Sequence, residues 1–413
     1  MWRAVVLSLA LLLALAMPAA AQDRAAVEAQ FQIWLEEVIW PAVAADGVPR
    51  ATFDAAFGGV SLNWDLPSLL PPGAPPEQPT TTQQAEFQAP ARYFDETNLA
   101  ASARIGGRMA RTHAARLAEV ENRFGVAGHI VLAIWGRESA YGAAPITQDP
   151  FEVLATKGFM GRNAEMFTGE TIALLRIAAL RGVSPDRMRS SWAGALGQPQ
   201  FLPTSYLDYG ADGDGDGIVD IWTSEADTLA SIGNYLAEHG WERDRDWGFE
   251  VRLPDGLSCA LEGPDNRQSI AAWVDAGVTR VSGRPFPDAE LSGDASLLFP
   301  AGTNGPVFLV TPNFYVLKRY NTSDLYALFV GHVGDRIAYG VSPFMTDWGR
   351  IDTLLRSDVA AMQTALEGLG YDVGGADGLV GYKTRRSIGA WQASQGQAST
   401  CFPDGSVVAD LSN

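Results

Sequence analysis

The chain has 413 residues, more than one compact core normally fills, so two or three domains are expected. Hydrophobic residues at 47% and charged residues at 19% exclude disorder over most of the length. A formal charge of −18 excludes the clustered basic surface that nucleic acid needs, and Cys259 and Cys401 alone exclude a disulfide scaffold or a thiolate zinc site.

Arg3 precedes an apolar run from Ala4 to Met17, followed by Pro18 and Ala19, Ala20 and Ala21 before Gln22. This is the order of a secretory signal peptide (residues 1–21), with cleavage expected after Ala21. The run is shorter than the ~20 residues of a membrane span, and no cysteine follows it to take a lipid anchor. The mature chain is expected to be exported and without a transmembrane segment, which in a bacterium means the periplasm.

Residues 24–57 carry apolar positions at helical spacing (Val27, Phe31, Trp34, Leu35, Val38, Ile39), a pattern that Pro41 should break. Residues 67–90 hold seven prolines and a Thr run, predicting an extended loop. One long helix is expected from Leu99 to Phe124, with further helices over 128–140, 165–182 and 224–239. Between 245 and 318 the texture changes to short runs (FEVRL, VFLV, FYVLK) between Pro, Gly and Asp, as in a small β-containing lobe. After Gly349 a tail reads as a helix, a Gly/Asp turn cluster and a second helix ending near Trp391.

Three segments could carry chemistry. In HIVLAIWGRESAYG (129–142), Val131, Ile134, Trp135 and Glu138 fall at i, i+3, i+4 and i+7, placing one carboxyl on an apolar stripe. Burial there raises a carboxyl pKa, as a general acid needs; the alternative is a helix-end Glu, half exposed or paired with Arg137. In SWAGALGQPQFLPTSYLDYG (191–210), Gln198 and Gln200 offer amides and Tyr206 and Tyr209 offer rings, a combination suited to sugars or to a turn-rich connector packed on a core. In DGDGDGIVD (212–220), Asp212, Asp214 and Asp216 at positions 1, 3 and 5, Gly217 at 6 and the Ile218 carbonyl at 7 reproduce the start of an EF-hand loop. Position 12 is Thr223 rather than Glu, so Asp227 is expected to close a structural Ca²⁺ site.

These segments, in this order, resemble the lytic murein transglycosylases of the B type. The resemblance runs from about residue 25 to 345 and includes QAEF (84–87), DPFEVLATKGFMGR (149–162), NYLAEHGW (234–241) and NFYVLKRYNTSDLYA (313–327). The tail resembles three-helix peptidoglycan-binding modules, through Gly370–Asp372, Asp377, Gly378, Gly381, Thr384, Trp391 and Gln392. The implied fold is α+β, mainly α: a lysozyme-like catalytic domain (22–346) with a small β-containing lobe, plus a C-terminal three-helix module (350–413). The family reaction cuts the β-1,4 bond between N-acetylmuramic acid and N-acetylglucosamine of peptidoglycan glycan strands, leaving a 1,6-anhydro ring. By position, Glu138 matches the single catalytic acid/base; Ser191, Gln200, Tyr235, Tyr320, Asn321 and Tyr326 match substrate-cleft residues; Asp212, Asp214, Asp216, Ile218 and Asp227 match calcium ligands. Departures from the pattern are the Pro-rich 67–79 stretch, Trp192, Pro199 and Cys401. A hydrolytic muramidase, with Asp149 or Glu152 as a second carboxylate, and a catalytically inactive glycan-binding scaffold are the rival readings.

Overall fold

The computed structural model describes residues 24–73, 89–181 and 183–412, so the leader and most of the Pro-rich stretch lie outside the described residues. The chain divides into two compact units, one from the N-terminus to Pro76 together with Phe151–Arg176, the other Glu77–Pro150 with Ile177–Asn413. The described part is mainly helical, and none of its helices is long and apolar enough to cross a membrane.

The first unit begins with α1 (Arg24–Trp34), a π-helical turn (Leu35–Ile39), α2 (Trp40–Ala45) and α3 (Arg50–Phe57). The helical path therefore runs through Pro41 instead of ending at it. Proline lacks an N–H and its ring crowds the preceding turn, and the wider π turn just before α2 removes both conflicts. Val27, Phe31, Leu35, Ile39 and Val43 stay on one buried stripe as a result. Phe31 meets Phe159 at 5.6 Å and Phe57 meets Phe151 edge-on at 5.8 Å, closing this core.

In the second unit the expected long helix is two, α4 (Glu96–Thr112) and α5 (Ala114–Phe124). The break is His113, whose ring is buried edge-on against Trp135 at 5.5 Å, so a tertiary contact overrides the local preference for a continuous helix. Next comes α6 (Gly128–Ser139), with Ile130–Trp135 buried on every side. A helix apolar all round belongs at the centre of a domain. Of the following helices, most of α7 (Pro150–Met160) and of α8 (Ala164–Leu180) belongs to the first unit, and α9 (Pro203–Tyr209) and α10 (Glu225–Glu238) belong to the second.

The lobe holds β1 (Gly248–Arg252), β2 (Gln268–Ser269), α11 (Ile270–Asp275), β3 (Thr279–Arg280), β4 (Asp294–Leu298), β5 (Pro300–Thr303) and β6 (Val307–Val310). Five of these strands form an antiparallel sheet in the order β2-β4-β6-β1-β3, with Leu309 opposite Phe249 on one side and Leu297 on the other. Then α12 (Pro312–Tyr320) and α13 (Asp324–Tyr339) return the chain to the helical core, where α13 packs along α6 and α4.

The tail folds as α14 (Arg356–Gly368), α15 (Tyr382–Ser394) and α16 (Gly405–Ser412) around Met362, Leu366, Ile388 and Trp391. Cys259 of the lobe is disulfide-bonded to Cys401 of the tail, which decides a pairing that the sequence left open. Gly389 lies against this bond, where any side chain would collide with Cys401 Sγ. The tail is thus docked on the lobe rather than hung from a linker.

Candidate functional site

Glu138 stands in the last turn of α6, seven residues after Val131, half-buried at the end of that helix's buried stripe. Its Oε1 accepts a short hydrogen bond from the Tyr326 hydroxyl of α13. Burial pushes the Glu138 carboxyl above its ordinary range, while the Tyr326 bond and the Arg137 charge pull the other way without cancelling the rise. Arg137 does not pair with Glu138. Its Nη2 donates to Tyr93 Oη at 3.0 Å, and its guanidinium lies over the rings of Tyr93 at 4.9 Å and Phe329 at 5.1 Å. The arrangement is a carboxyl whose burial favours its protonated form, beside the fixed donor Tyr326, which suits general acid/base work.

Just beyond Glu138 the backbone is strained, for Ala140 and Tyr141 both adopt left-handed conformations with φ of 51° and 61°. The Tyr141 ring, tied by its hydroxyl to Ser102 O at 2.9 Å, fills the space where Gly136 would carry a side chain. Gln198 is consumed in supporting α6: its Oε1 accepts from Trp135 Nε1 at 2.8 Å and its Nε2 donates to Trp222 O at 3.1 Å. Tyr206 is likewise internal, donating to Val219 O at 2.6 Å. Of the amides and rings of this segment, suited to a sugar or to a packed connector, these two brace the fold.

An aromatic group is assembled from separate segments. Tyr320 lies 4.8 Å from Tyr235 and 5.8 Å from Phe201 by ring centroids, and Tyr235 stacks on His239 at 4.1 Å. Both tyrosines have fixed hydroxyls, Tyr320 donating to Pro199 O at 2.7 Å and Tyr235 to Arg319 O at 2.6 Å. The negative potential of Glu138 reaches Tyr320 and Tyr326 and adds to burial in raising both phenols well above their ordinary range. Gln200, at φ 54°, folds its amide back onto Gly197 O at 2.8 Å. Asn321 is exposed at the end of α12, its side chain accepting from Ser323 N at 3.0 Å. Ser191 forms a tight turn through backbone bonds to Ala195 and Gly194, and among the described residues its hydroxyl makes no hydrogen bond to Glu138. Glu152, one candidate for a second carboxylate, accepts from Asn63 Nδ2 at 2.6 Å within the first unit.

The acidic loop is held in shape by its own amides. Asp212 accepts from Gly215 N at 2.6 Å and Gly217 N at 2.8 Å, with φ of 81° and 88° at the two glycines, which explains their identity. Asp227, buried in the first turn of α10, accepts from Gly213 N at 2.8 Å and Asp220 N at 2.7 Å and so ties both ends of the loop. Oxygens of Asp212, Asp214 and Asp227 lie within 4.8 Å of one another. Three converging hard-oxygen donors fit a Ca²⁺ ion. Asp216 stands outside that trio and accepts from Ile218 N at 2.7 Å. Thr223 bonds to Asp220 instead of supplying a ligand, and Asp220 also pairs with Arg187.

The model of the transglycosylase SLT domain matches residues 30–335, and that of a putative peptidoglycan binding domain matches residues 356–409. The membrane-bound lytic murein transglycosylase B of Escherichia coli (strain K12) is 34% identical over 221 residues, covering 52% of this chain; the chain spans 58% of that relative's length. The crystal structure of SltB3 from Pseudomonas aeruginosa in complex with NAG-anhNAM-pentapeptide superposes with a TM-score of 0.81 at 36% identity, over 93% of this chain and 99% of that one. The lytic transglycosylase Slt35 of Escherichia coli in complex with calcium gives a TM-score of 0.52 at 29% identity, over 62% and 80%.

Proposed function

Because the chain belongs to the transglycosylase SLT family, with a peptidoglycan-binding domain after it, we propose that it is a lytic transglycosylase of the bacterial cell wall in which Glu138 serves first as acid and then as base. The observation that carries the reading is the buried carboxyl of Glu138, raised above its ordinary range, with Tyr326 as its fixed donor.

In the first step the Glu138 proton passes to the glycosidic oxygen as the C1–O bond of N-acetylmuramic acid breaks. The oxygen of the sugar's own acetamide closes on C1 and carries the charge. Glu138, now a carboxylate stabilised by Tyr326, takes the proton of the 6-hydroxyl, and O6 displaces the acetamide to form the 1,6-anhydro ring. The first proton leaves on the departing sugar's hydroxyl and the 6-hydroxyl proton restores Glu138, so the carboxyl ends as it began and no second carboxylate is needed. Tyr235 and Tyr320, packed against the buried Phe201, would meet sugar rings, and Gln200, Asn321 and Ser191 would offer polar groups to their edges. Asp212, Asp214 and Asp227, aided by Asp216 and the Ile218 carbonyl, would hold a structural Ca²⁺; the calcium complex of Slt35 supports this. The ion's part is to fix the loop before α10, the helix that carries Tyr235. Export through a leader over 1–21 and domains over 22–346 and 350–413 complete the reading.

Mass spectrometry of muropeptides released from purified sacculi tests it. Products ending in 1,6-anhydromuramic acid, lost in Glu138→Gln, are expected. Reducing ends would make water the acceptor and the protein a muramidase. Binding without release from the folded protein would make it a scaffold.

A further inference from the structure

Arg385 of α15 is 3% exposed and spans two acids from distant parts of the chain. Its Nη2 lies 2.7 Å from Oε1 of Glu262, which is 0% exposed, and 2.8 Å from Oδ2 of Asp324. The guanidinium is oriented by Glu262, which also accepts its Nε, and by Val380 O, which accepts Nη1 at 3.0 Å. Asp324 receives a second cation, Lys318 of α12, at 2.6 Å. It is the first residue of α13, and Tyr326 follows two positions later in the same turn, its amide capped by Ser323 Oγ at 3.2 Å. The turn that presents the Tyr326 hydroxyl to Glu138 is therefore held by a side chain reaching in from the tail.

We infer that Arg385 is a positioning residue for the Glu138 reaction, acting through Asp324 to fix the first turn of α13 and with it the Tyr326 donor. The inference rests on the proposed function for its kinetic arm. It gives the tail a part in turnover beyond holding the wall: the docked module sets the geometry of the acid. Burial of Asp324 opposes its charge, but Lys318 and Arg385 outweigh that and hold its carboxyl well below the usual range. A loosened Arg385 contact thus leaves a charged helix end with one partner in place of two. The charged or titratable groups that face Glu138 are Tyr326, Tyr320 and Arg137, and only Tyr326 lies on the turn that Arg385 braces.

Removing Arg385 alone strands Glu262 in the interior, so the test pairs Arg385→Met with Glu262→Gln, which removes both buried charges, keeps an acceptor for Phe299 N and leaves Lys318 on Asp324. The double variant is expected to fold with its disulfide intact. Its kcat on soluble glycan strands should fall by about tenfold or more while KM changes by less than about threefold. Infrared titration of the Glu138 carboxyl, assigned with Glu138→Gln, should place its midpoint higher than in the wild type, since the donor that favours the carboxylate is displaced. A folded double variant with unchanged kcat and unchanged midpoint would overturn the inference and leave the pair as a staple. If the wild type itself releases nothing, the proposed function fails, and the midpoint decides the positioning role alone.

Discussion

Tyr326 donates its hydroxyl proton to Oε1 of Glu138 across 188 positions of sequence, joining the first turn of α13 to the last turn of α6. This bond stabilises the carboxylate and so works against the burial that keeps Glu138 protonated. Tyr326→Phe should therefore raise the Glu138 pKa further. The limb of the pH–rate profile on which the protonated acid is lost should move to higher pH, while the maximal rate falls by roughly ten- to a hundredfold through loss of orientation. Profiles for both proteins on the same glycan check this; a limb that stays in place would remove Tyr326 from the site.

The same rise has a stability consequence. A folded pKa above the unfolded one means that the folded state binds more protons, so Glu138 costs stability once pH exceeds the unfolded value. Glu138→Gln should melt at or above the wild-type temperature at neutral pH while abolishing turnover. A clear drop in melting temperature would mean that Glu138 is structural rather than poised for chemistry.

Calcium should stabilise the acidic loop, because Asp212, Asp214 and Asp227 converge and, among the described residues, their carboxylates accept only from backbone N–H groups and the Ser224 hydroxyl. At free calcium a hundredfold above Kd the gain is about 2.7 kcal/mol, a rise of several degrees in melting temperature. Asp214→Asn keeps the side chain's shape and should remove most of that shift; Asp216→Asn should remove less, since Asp216 lies outside the trio. Equal melts in calcium and EGTA would sink the site.

Much of this was legible in the sequence, and the limits are physical. The stripe of α6 and the Asp/Gly spacing of the acidic loop are local patterns, and local patterns survive into structure. Pro41 misled because the compensating π turn has no composition signal, and His113 because its break is set by Trp135, distant in sequence. Gln198 read equally as a sugar-facing amide or as part of a packed connector, and the choice rests on its partners Trp135 and Trp222, fixed only when the chain is folded. The Arg385 bridge, 123 positions from Glu262 and 61 from Asp324, has no periodicity that could announce it.

The bond between Cys259 and Cys401 closes 142 positions of chain and docks the tail on the lobe. Chain-entropy reasoning for a loop of that size gives about 3–5 kcal/mol of stabilisation. A Cys259→Ser, Cys401→Ser variant should unfold at lower denaturant, with the tail still seated through Arg385. Gly389→Ala should do similar damage with both cysteines present, because the new methyl meets Cys401 Sγ. An unchanged denaturation midpoint for both variants would show that the docking rests on the polar contacts of Arg385 and Arg386 rather than on the disulfide.

Asp335 gives a separate pH signature, away from Glu138. Its carboxyl lies in the C-terminal half of α13, accepts from Trp247 Nε1 at 3.0 Å, and burial pushes its pKa up to about 7 from an ordinary 3.8. Asp246 adds to the rise, and Arg280 and Arg245 face the Asp246 carboxyl nearby. The folded state keeps this proton between about pH 4 and 7 while the unfolded state releases it, so stability should fall as pH rises through that window and level off above it. Asp335→Asn keeps an acceptor for Trp247 and cannot ionise. Urea midpoints of the two proteins should coincide near pH 4 and separate in favour of Asp335→Asn by pH 8. Parallel curves across that range would mean that Asp335 is solvated enough to ionise freely, and that the Trp247 bond is made to a carboxylate.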